Sequence, residues 1–439
     1  MSPAAEPATA APCPTCGSAL TDDPRFVRWC RSCGWNAHTT ATAAKGRGDR
    51  LQRRFNRATE ERLFRRVTES GTRRSSIGGA YVAAYALSGL VHLVTLALAG
   101  YAGYTLTLPY WPMRGLGVAL LAITYLLRPR FGPSRKALRR RHVLDDAAAP
   151  ELRALAARVA AELGTAAPDL IAVDGDYNAS YSRIGIRRRV LLTLGLPLWE
   201  TLGPAERVAL LGHELGHGAN GDSRSGLWIG SALGTLEEWY RMLRPDRSVR
   251  RVNSRAGASS MVLASEKLAQ VVLGVFAELV LLVHRLLGRL TALSGRRAEY
   301  RADELATRVA GTEATADLLQ ALTLGDSAAH VYQRHARLAR AARLTRGGSA
   351  AGEPQQADLW AELRAYVASV PESERARRLL VSQLDDSAVD TAHPPTHLRL
   401  DFVRQLAAAG PAIVLTPAES AAIDAELTDA RAAVARELG

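Results

Sequence analysis

The stretch LGHELGH, residues 211–217, decides the fold of this chain because it holds two histidines four residues apart. On a helix these positions share one face, so His213 and His217 can bind one zinc ion together. Glu214 then lies beside the metal, where it can take a proton from the attacking water and pass it to a leaving amine. Residues 204–211 contain an early proline and an apolar stripe, which predicts that the motif lies on a helix. In the alternative, a pair of core histidines, Glu214 would be an unexplained charge.

The third zinc ligand has two candidate positions, since a catalytic zinc usually has three protein ligands and one open site. Glu237 and Glu238 follow at a thermolysin-like spacing, but their neighbours lack the polar residues that surround such a ligand. Glu299 is the stronger candidate, because Asp303 lies four residues later on the same helical face and can orient a ligating histidine. Without the histidine motif, the segment around Glu299 would indicate only a solvated charged helix.

Several separate segments resemble the membrane-associated zinc metallopeptidases that include HtpX and the CAAX prenyl proteases. They extend over about residues 150–405. The segments are NA at 178–179 with VLLTLGL at 190–196, HELGH at 213–217 with NGD at 220–222, EYRAD at 299–303, and HPP at 393–395 with Arg399. The resemblance implies a gluzincin fold in which His213, His217 and Glu299 bind zinc and Glu214 is the base.

The resemblance also implies where a substrate would lie. It places His393 and Asn178 near the substrate, stabilising the tetrahedral intermediate, although His397 is equally close to the same turn. Residues 190–196 would form the edge strand along which an extended peptide lies. The residues expected to line the peptide are Leu192, Thr193 and Leu194. Taken by itself, this apolar run is equally well explained as a buried strand.

Positive charge is concentrated in two runs of the 439-residue chain, whose net charge is +13. Between Lys45 and Arg74 there are eleven Lys or Arg against four Asp or Glu, and between Arg128 and Arg141 there are seven against none. Each run has a net charge of +7, so the two together slightly exceed the net charge of the whole chain. The remainder of the chain is therefore close to neutral. The high pI therefore does not indicate a nucleic-acid partner for the catalytic region.

Two apolar stretches lie between the basic runs, at residues 77–100 and at about 111–127. The first has no charged residue and is long enough to cross a bilayer, whereas the second contains Arg114 near its N-terminal end. Tyrosines cluster at the turn and arginines flank both outer ends, as expected for a transmembrane hairpin whose two termini face the cytoplasm. A buried hairpin in a soluble core would leave the flanking basic runs unexplained.

A third apolar region, residues 268–283, contains Glu278 and is too short to span a bilayer. Because His217 and Glu299 must meet at one zinc, the chain between them can cross the membrane only an even number of times. No equally apolar partner is visible, so this region is expected to be a buried or membrane-resting helix.

The N-terminal region contains two Cys-x-x-Cys-Gly knuckles, CPTCG at 13–17 and CRSCG at 30–34. This doubled pattern predicts one structural zinc in a small ribbon, and it disfavours a redox pair. Disulfides are disfavoured on the cytoplasmic side. We expect the ribbon to contact a protein or capture substrate. The predicted ligands are all four cysteines of the chain, Cys13, Cys16, Cys30 and Cys33.

The predicted fold is α+β and mostly helical, with a zincin-type domain that carries a small edge-exposed sheet. The predicted segments are a zinc ribbon (1–37), a linker and basic juxtamembrane helix (38–76), a transmembrane helical hairpin (77–127), a basic juxtamembrane segment (128–149), a zinc metallopeptidase domain (150–410) and a C-terminal helical tail (411–439).

The predicted function is that of a multi-pass membrane zinc endopeptidase with its ribbon and active site in the cytoplasm. Expected cofactors are one catalytic and one structural Zn²⁺. Expected partners are polypeptides, in particular membrane or misfolded proteins, and the lipid bilayer. The alternatives are a non-catalytic membrane adaptor that recruits proteins through the ribbon, and a second zinc site that is structural, which a fourth protein ligand would indicate.

Overall fold

A computed structural model describes residues 12–20, 23–37, 47–72, 79–128, 141–185, 187–219, 222–243, 260–345, 358–384 and 393–438. Residues 38–46 of the predicted linker, 129–140 of the predicted basic segment, and Asn220 and Gly221 lie outside this part of the chain. The described part is mostly helical with one four-stranded sheet, which confirms the predicted fold class.

The helices follow one another along nearly the whole chain. They are α1 (Arg47–Ser70), α2 (Gly79–Thr107), α3 (Trp111–Leu127), α4 (Pro150–Leu163), α5 (Leu196–Thr201), α6 (Pro204–Ala219), α7 (Asp222–Leu243), α8 (Ser260–Ala310), α9 (Thr312–Leu322), α10 (Gly325–Thr345), α11 (Leu359–Ala368), α12 (Glu372–Leu384), α13 (Thr396–Gln405), α14 (Pro417–Glu426) and α15 (Thr428–Leu438). The strands are β1 (His142–Leu144), β2 (Leu170–Asp174), β3 (Ala179–Ile184) and β4 (Arg189–Gly195).

The sheet has the order β1-β2-β4-β3, with β2 and β4 parallel and the other two pairs antiparallel. This order corrects the predicted edge strand, because β4 lies inside the sheet with Leu192, Thr193 and Leu194 buried. A nearly continuous apolar run is typical of a strand covered on both faces, so the buried-strand explanation is right. The strand at the outer edge beside β4 is β3.

Helices α2 and α3 form the hairpin expected from the sequence. A Cβ added at Gly117 on α3 would lie 2.7 Å from the Thr105 hydroxyl of α2, so the two helices pack closely there. Within the described residues, two helical segments are long and apolar enough to cross a membrane, namely Gly79–Thr107 and Gln270–Ala310. Helix α3 is apolar but shorter.

Residues 268–283 lie within the single 51-residue helix α8. The expectation of a buried helix is wrong, because Val271, Val275 and Leu282 are more than 60% exposed. The alternative of a helix that rests on the membrane stays a prediction. The partner that the sequence did not reveal is α7, which packs against both α8 and α2 through Ile229 and Leu236. Among the described residues, the interval between the histidine motif and Glu299 therefore contains two packed helices, α7 and α8.

Helix α1 lies on the helices that carry the site residues. Its Leu63 and Val67 pack in one cluster with Tyr300 of α8 and Phe402 of α13. Buried Glu60 forms an ion pair with Arg296, three residues before Glu299. The predicted juxtamembrane helix is therefore fastened to α8 beside the candidate zinc ligand.

The C-terminal tail packs into the main core, where Leu415, Ile423, Leu427 and Val434 join residues of α4 and α6. It also carries a partly buried ionic network, in which Arg431 donates to Glu200 at 2.6 Å and to Asp424 at 2.8 Å. Helix α14 opens with a capping box between Thr416 and Glu419.

Helices α6 and α8 cross at unusually small residues. A Cβ added at Gly212 would lie 3.1 Å from the Cα of Ala306, and one added at Gly216 would lie 3.3 Å from the Cα of Ala302. The two glycines flank His213, and the two alanines follow Glu299 on the facing helix. Backbone contact at this crossing therefore places the histidines opposite Glu299.

We predict that Gly212→Val separates α6 from α8 and destabilises the protein by about 1–3 kcal/mol through overpacking. The zinc-to-protein ratio should fall from two toward one, because His213 and Glu299 can no longer reach one ion. The checks are thermal denaturation and elemental analysis. Gly288→Ala on α8 is the matched control, since its added Cβ meets nothing within 4 Å in the described structure. Unchanged stability and zinc content in Gly212→Val would contradict this account.

Candidate metal centre

Three potential ligands converge where α6 crosses α8. The donor atoms of His213, His217 and Glu299 all lie within 4.8 Å of one another. The two imidazole rings are nearly perpendicular, with centroids 5.0 Å apart, and both face the carboxylate across the helix crossing. His213 and Glu299 are buried, whereas His217 is partly exposed. The group is therefore enclosed on one side and open on the other.

The spacing of the donor atoms fits a tetrahedral zinc ion. His213 Nε2 lies 3.5 Å from Glu299 Oε2, and His217 Nε2 lies 3.5 Å from Glu299 Oε1. Two ligands bound to tetrahedral zinc at about 2.0–2.2 Å are themselves about 3.4 Å apart. Two imidazoles and one carboxylate also match the donor set of catalytic zinc sites. The residues present therefore fit zinc and leave one coordination position to a non-protein ligand.

Asp303 holds the first histidine in place from behind. His213 Nδ1 donates to Asp303 Oδ1 at 2.9 Å, so Nε2 is left to face the other ligands. Arg399 donates two hydrogen bonds to the same carboxylate, from Nε at 2.9 Å and from Nη2 at 2.7 Å. All three side chains are buried. A paired arginine therefore compensates the buried charge of Asp303 and fixes the orientation of the imidazole.

His393 also lies at the site, because its Nδ1 donates to Glu299 Oε2 at 2.6 Å. Its side chain is 37% exposed, so it forms part of the open rim. His397 instead lies 3.4 Å from the Ser382 hydroxyl. The structure thus distinguishes the two histidines of the turn that the sequence left open.

The carboxylates create a strongly negative potential at the imidazoles. Burial lowers the pKa of His213, but hydrogen bonding to Asp303 and to the nearby Glu299 outweighs burial and raises it to about 10. The hydrogen bond that His393 donates to Glu299 likewise raises the pKa of His393. A site that favours positive charge on its ligands is one that a divalent cation can occupy in place of protons.

The remaining predicted residues have different surroundings. Glu214 follows His213 on α6 and is only 7% exposed. Asn178 precedes β3 with an exposed side chain, and its carbonyl accepts a 2.8 Å bond from Gly195 N–H. Its role toward a substrate stays a prediction.

Glu237 and Glu238 do not contribute to the centre, which corrects the second candidate for the third ligand. They lie near the far end of α7, where both form ion pairs with Arg241. The reason is that this part of α7 packs with residues of α2 and of the apolar segment of α8.

The four cysteines form a second group, with all Sγ atoms within 4.8 Å of one another. Cys13 and Cys33 sulfurs are 3.7 Å apart, and those of Cys16 and Cys30 are 3.5 Å apart. These separations are far longer than a disulfide bond and close to the roughly 3.8 Å between sulfurs on a tetrahedral zinc. The thiols are free, so the arrangement fits the predicted structural zinc.

A family model described as Peptidase family M48 matches residues 146–407, which include every ligand of the candidate catalytic centre. The chain belongs to peptidase family M48. The M48 region covers β2 to β4 and α4 to α13, whereas the ribbon, the helices α1 to α3 and the strand β1 precede it.

Curated relatives of this chain carry the name "Protease HtpX". The chain is 28% identical to that of Pseudomonas entomophila over 148 residues, which are 33% of this chain and 47% of the relative. It is 31% identical to that of Pseudomonas fluorescens over 135 residues (30% and 42%), and 29% identical to that of Stutzerimonas stutzeri over 150 residues (33% and 48%). The chain thus spans less than half the length of these relatives. No solved structure matches it.

Two elements of the M48 site escaped the sequence analysis. Arg399 was noted only as part of a matching segment, although a buried arginine is unusual enough to indicate a carboxylate partner. Gly212 and Gly216 carried a signal too, since small residues four apart on a helix permit close approach of another helix.

We predict that Asp303→Asn weakens zinc binding at this centre by roughly 10–100-fold, because His213 loses its anionic partner. The ribbon zinc should stay bound. The measurement is zinc retention against a series of chelators of increasing affinity, with Asp317→Asn on α9 as the control. Equal retention by wild type and Asp303→Asn would show that Asp303 does not support the site.

Proposed function

We propose that this M48 peptidase is a membrane-anchored, zinc-dependent endopeptidase whose active site lies at the cytoplasmic side of the bilayer. The observation that carries the proposal is the convergence of His213, His217 and Glu299 around one position, with Glu214 on the same helix. The site has three protein ligands and an open rim, as a catalytic zinc requires. Among the residues that the structure describes, no fourth ligand joins His213, His217 and Glu299, so a closed structural zinc site is not favoured.

Each residue has a distinct task in the proposed reaction. His213, His217 and Glu299 would hold zinc, which when bound polarises a carbonyl and lowers the pKa of water. Glu214 takes the proton of the attacking water and delivers it to the leaving amine. Asp303 and Arg399 keep His213 in the tautomer that directs Nε2 toward the metal. His393, on the open rim, would donate a hydrogen bond to the oxyanion that develops on the substrate.

The proposed substrate is an extended polypeptide that pairs with the outer edge of β3. The register Tyr181 to Leu192 leaves the other side of β3 without a strand among the described residues. Tyr181 also reaches α6, since its hydroxyl would lie 2.8 Å from a Cβ at Gly218, next to His217. A peptide added to this edge would therefore run beside the histidine helix.

The membrane anchor is proposed from α2 and α8, whose outward side chains are large and apolar. Leu93 and Leu96 of α2 are 59% and 68% exposed, and Val275 of α8 is 65% exposed. Such apolar surface is typical of contact with lipid. The basic runs that flank the α2–α3 hairpin support a cytoplasmic position for the catalytic side. Membrane and misfolded proteins are the proposed substrates, because they can reach a site held close to the bilayer.

We predict that Glu214→Gln keeps two zinc ions per chain and lowers peptide cleavage at least ~10²-fold, because the general base is lost. The assay is casein or fluorogenic-peptide cleavage by detergent-purified protein, beside zinc analysis. Glu206→Gln, in the first turn of the same helix, is the matched control. Equal cleavage by wild type and Glu214→Gln would refute the assigned base. A wild type with ribbon zinc alone and no cleavage would favour the adaptor.

Helix α8 also predicts how far from the membrane this enzyme cuts. Arg285 and Arg289 are the first exposed charges after its apolar segment, and Glu299 follows 14 and 10 residues later on the same helix. At 1.5 Å per residue, the centre stands ~15–21 Å beyond that segment. An extended substrate covers this distance with roughly five or six residues.

The test uses membrane-inserted substrates with one transmembrane segment, in which the cleavable sequence stands two, four, six or eight residues from the segment. We expect cleavage to begin at about five residues, since shorter spacers cannot reach the centre. Efficient cleavage at two residues would contradict the geometry of α8.

A further inference from the structure

The ribbon is docked on the catalytic domain of its own chain. Trp29, only 4% exposed, donates from Nε1 to the carbonyl of Ser373 at 3.2 Å. Arg25 donates to the Ser369 hydroxyl at 2.8 Å and to the Ser369 carbonyl at 3.0 Å. These contacts join the ribbon to the end of α11 and the start of α12.

A return contact comes from α12. Arg377 donates to the carbonyl of Ala37 at 2.9 Å, and Glu374 holds that arginine with bonds of 2.7 and 2.8 Å. Glu374 is buried and also accepts from Arg378, which donates to Thr323 and Ser327 of the catalytic core. One carboxylate therefore links the ribbon side of α12 to the core side.

Trp29 belongs to this interface rather than to the interior of the ribbon. The ribbon's own small core consists of Cys13, Leu20, Cys30 and Trp35. The indole of Trp29 is thus buried where the ribbon meets the start of α12. This finding changes the expected partner of the ribbon.

Helix α12 in turn contacts α13, and α13 together with the turn before it supplies two groups of the metal centre. Ser382 lies 3.4 Å from His397, and Leu379 packs in the cluster of Leu400 and Phe402. Helix α13 carries Arg399, which grips Asp303, and His393 stands three residues before its start, beside Glu299. A continuous series of contacts therefore leads from the ribbon through α12 and α13 to the carboxylates of Glu299 and Asp303.

We propose that the ribbon is a positioning module for the catalytic centre of its own chain, with Arg25 and Trp29 as positioning residues that act through α12 on His393. This inference rests on the proposed peptidase function. It goes beyond the M48 region, because the ribbon lies outside the residues that the family model matches. The role of the ribbon zinc is then to stabilise the ribbon fold, so that Arg25 and Trp29 keep their contacts with the catalytic domain.

The first test is hydrogen exchange of the full-length protein in detergent micelles. The variants are Trp29→Ala and Arg25→Ala, with Arg31→Ala on an exposed ribbon turn as the matched control. Zinc analysis should give two ions per chain in all three, which shows that the ribbon remains folded. We expect faster exchange in α12 and α13 for the first two variants alone. If α12 and α13 exchange at the wild-type rate in Trp29→Ala, the proposal is wrong. That result would favour a ribbon that binds another protein.

The second test is a double-mutant cycle with His393→Ala, measured as kcat and KM for peptide cleavage. Trp29→Ala should lower kcat about tenfold with little change in KM in the wild-type background. In the His393→Ala background it should have no further effect, because its route to the reaction is gone. Equal losses in both backgrounds would show that the ribbon does not act through His393. If the wild-type protein cleaves no peptide, the proposed peptidase function is wrong. The hydrogen-exchange test would still show whether the ribbon contacts stabilise α12 and α13.

Discussion

The close approach of α6 and α8 is the constraint on which the rest of the structure depends. Gly212 and Gly216 on one helix meet Ala306 and Ala302 on the other at backbone distance. Because the zinc ligands lie on these two helices within one turn of the contacts, their separation is set by backbone packing rather than by flexible side chains. The buried pair of Asp303 and Arg399 then orients one histidine, so the whole group is organised before any metal binds.

Helix α8 carries both an apolar surface and two residues of the candidate metal centre. The apolar surface is exposed between Val271 and Leu286, and Glu299 and Asp303 follow without an interruption in the helix. A rigid helix cannot change the distance between its ends, so the position of the apolar segment also determines the position of the metal centre. Helix α1 reinforces this arrangement, since Glu60 and Arg296 form a buried ion pair just before Glu299.

Much of the site could be predicted from local sequence, because the spacing of His213 and His217 is a property of one helix. Glu299 required only the further idea that a ligand and its supporting carboxylate share a helical face. The edge strand could not be predicted, since strand order depends on pairing between distant segments, and a buried run looks alike at the centre and the edge. Residues 268–283 were misjudged because Glu278, His284 and Arg285 interrupt the apolar run without interrupting the helix. The docking of the ribbon was also hidden, since Trp29 and Arg25 bind backbone carbonyls more than 340 residues away.

The zinc-to-protein ratio of full-length wild type and Glu299→Gln tests the central claim most directly. The substitution keeps the size of the side chain and removes the charge that completes the ligand set at the helix crossing. The account predicts two zinc ions per chain in wild type and one, held by the four cysteines, in the variant. Two zinc ions in both proteins would contradict the claim that α6 and α8 form the catalytic metal centre.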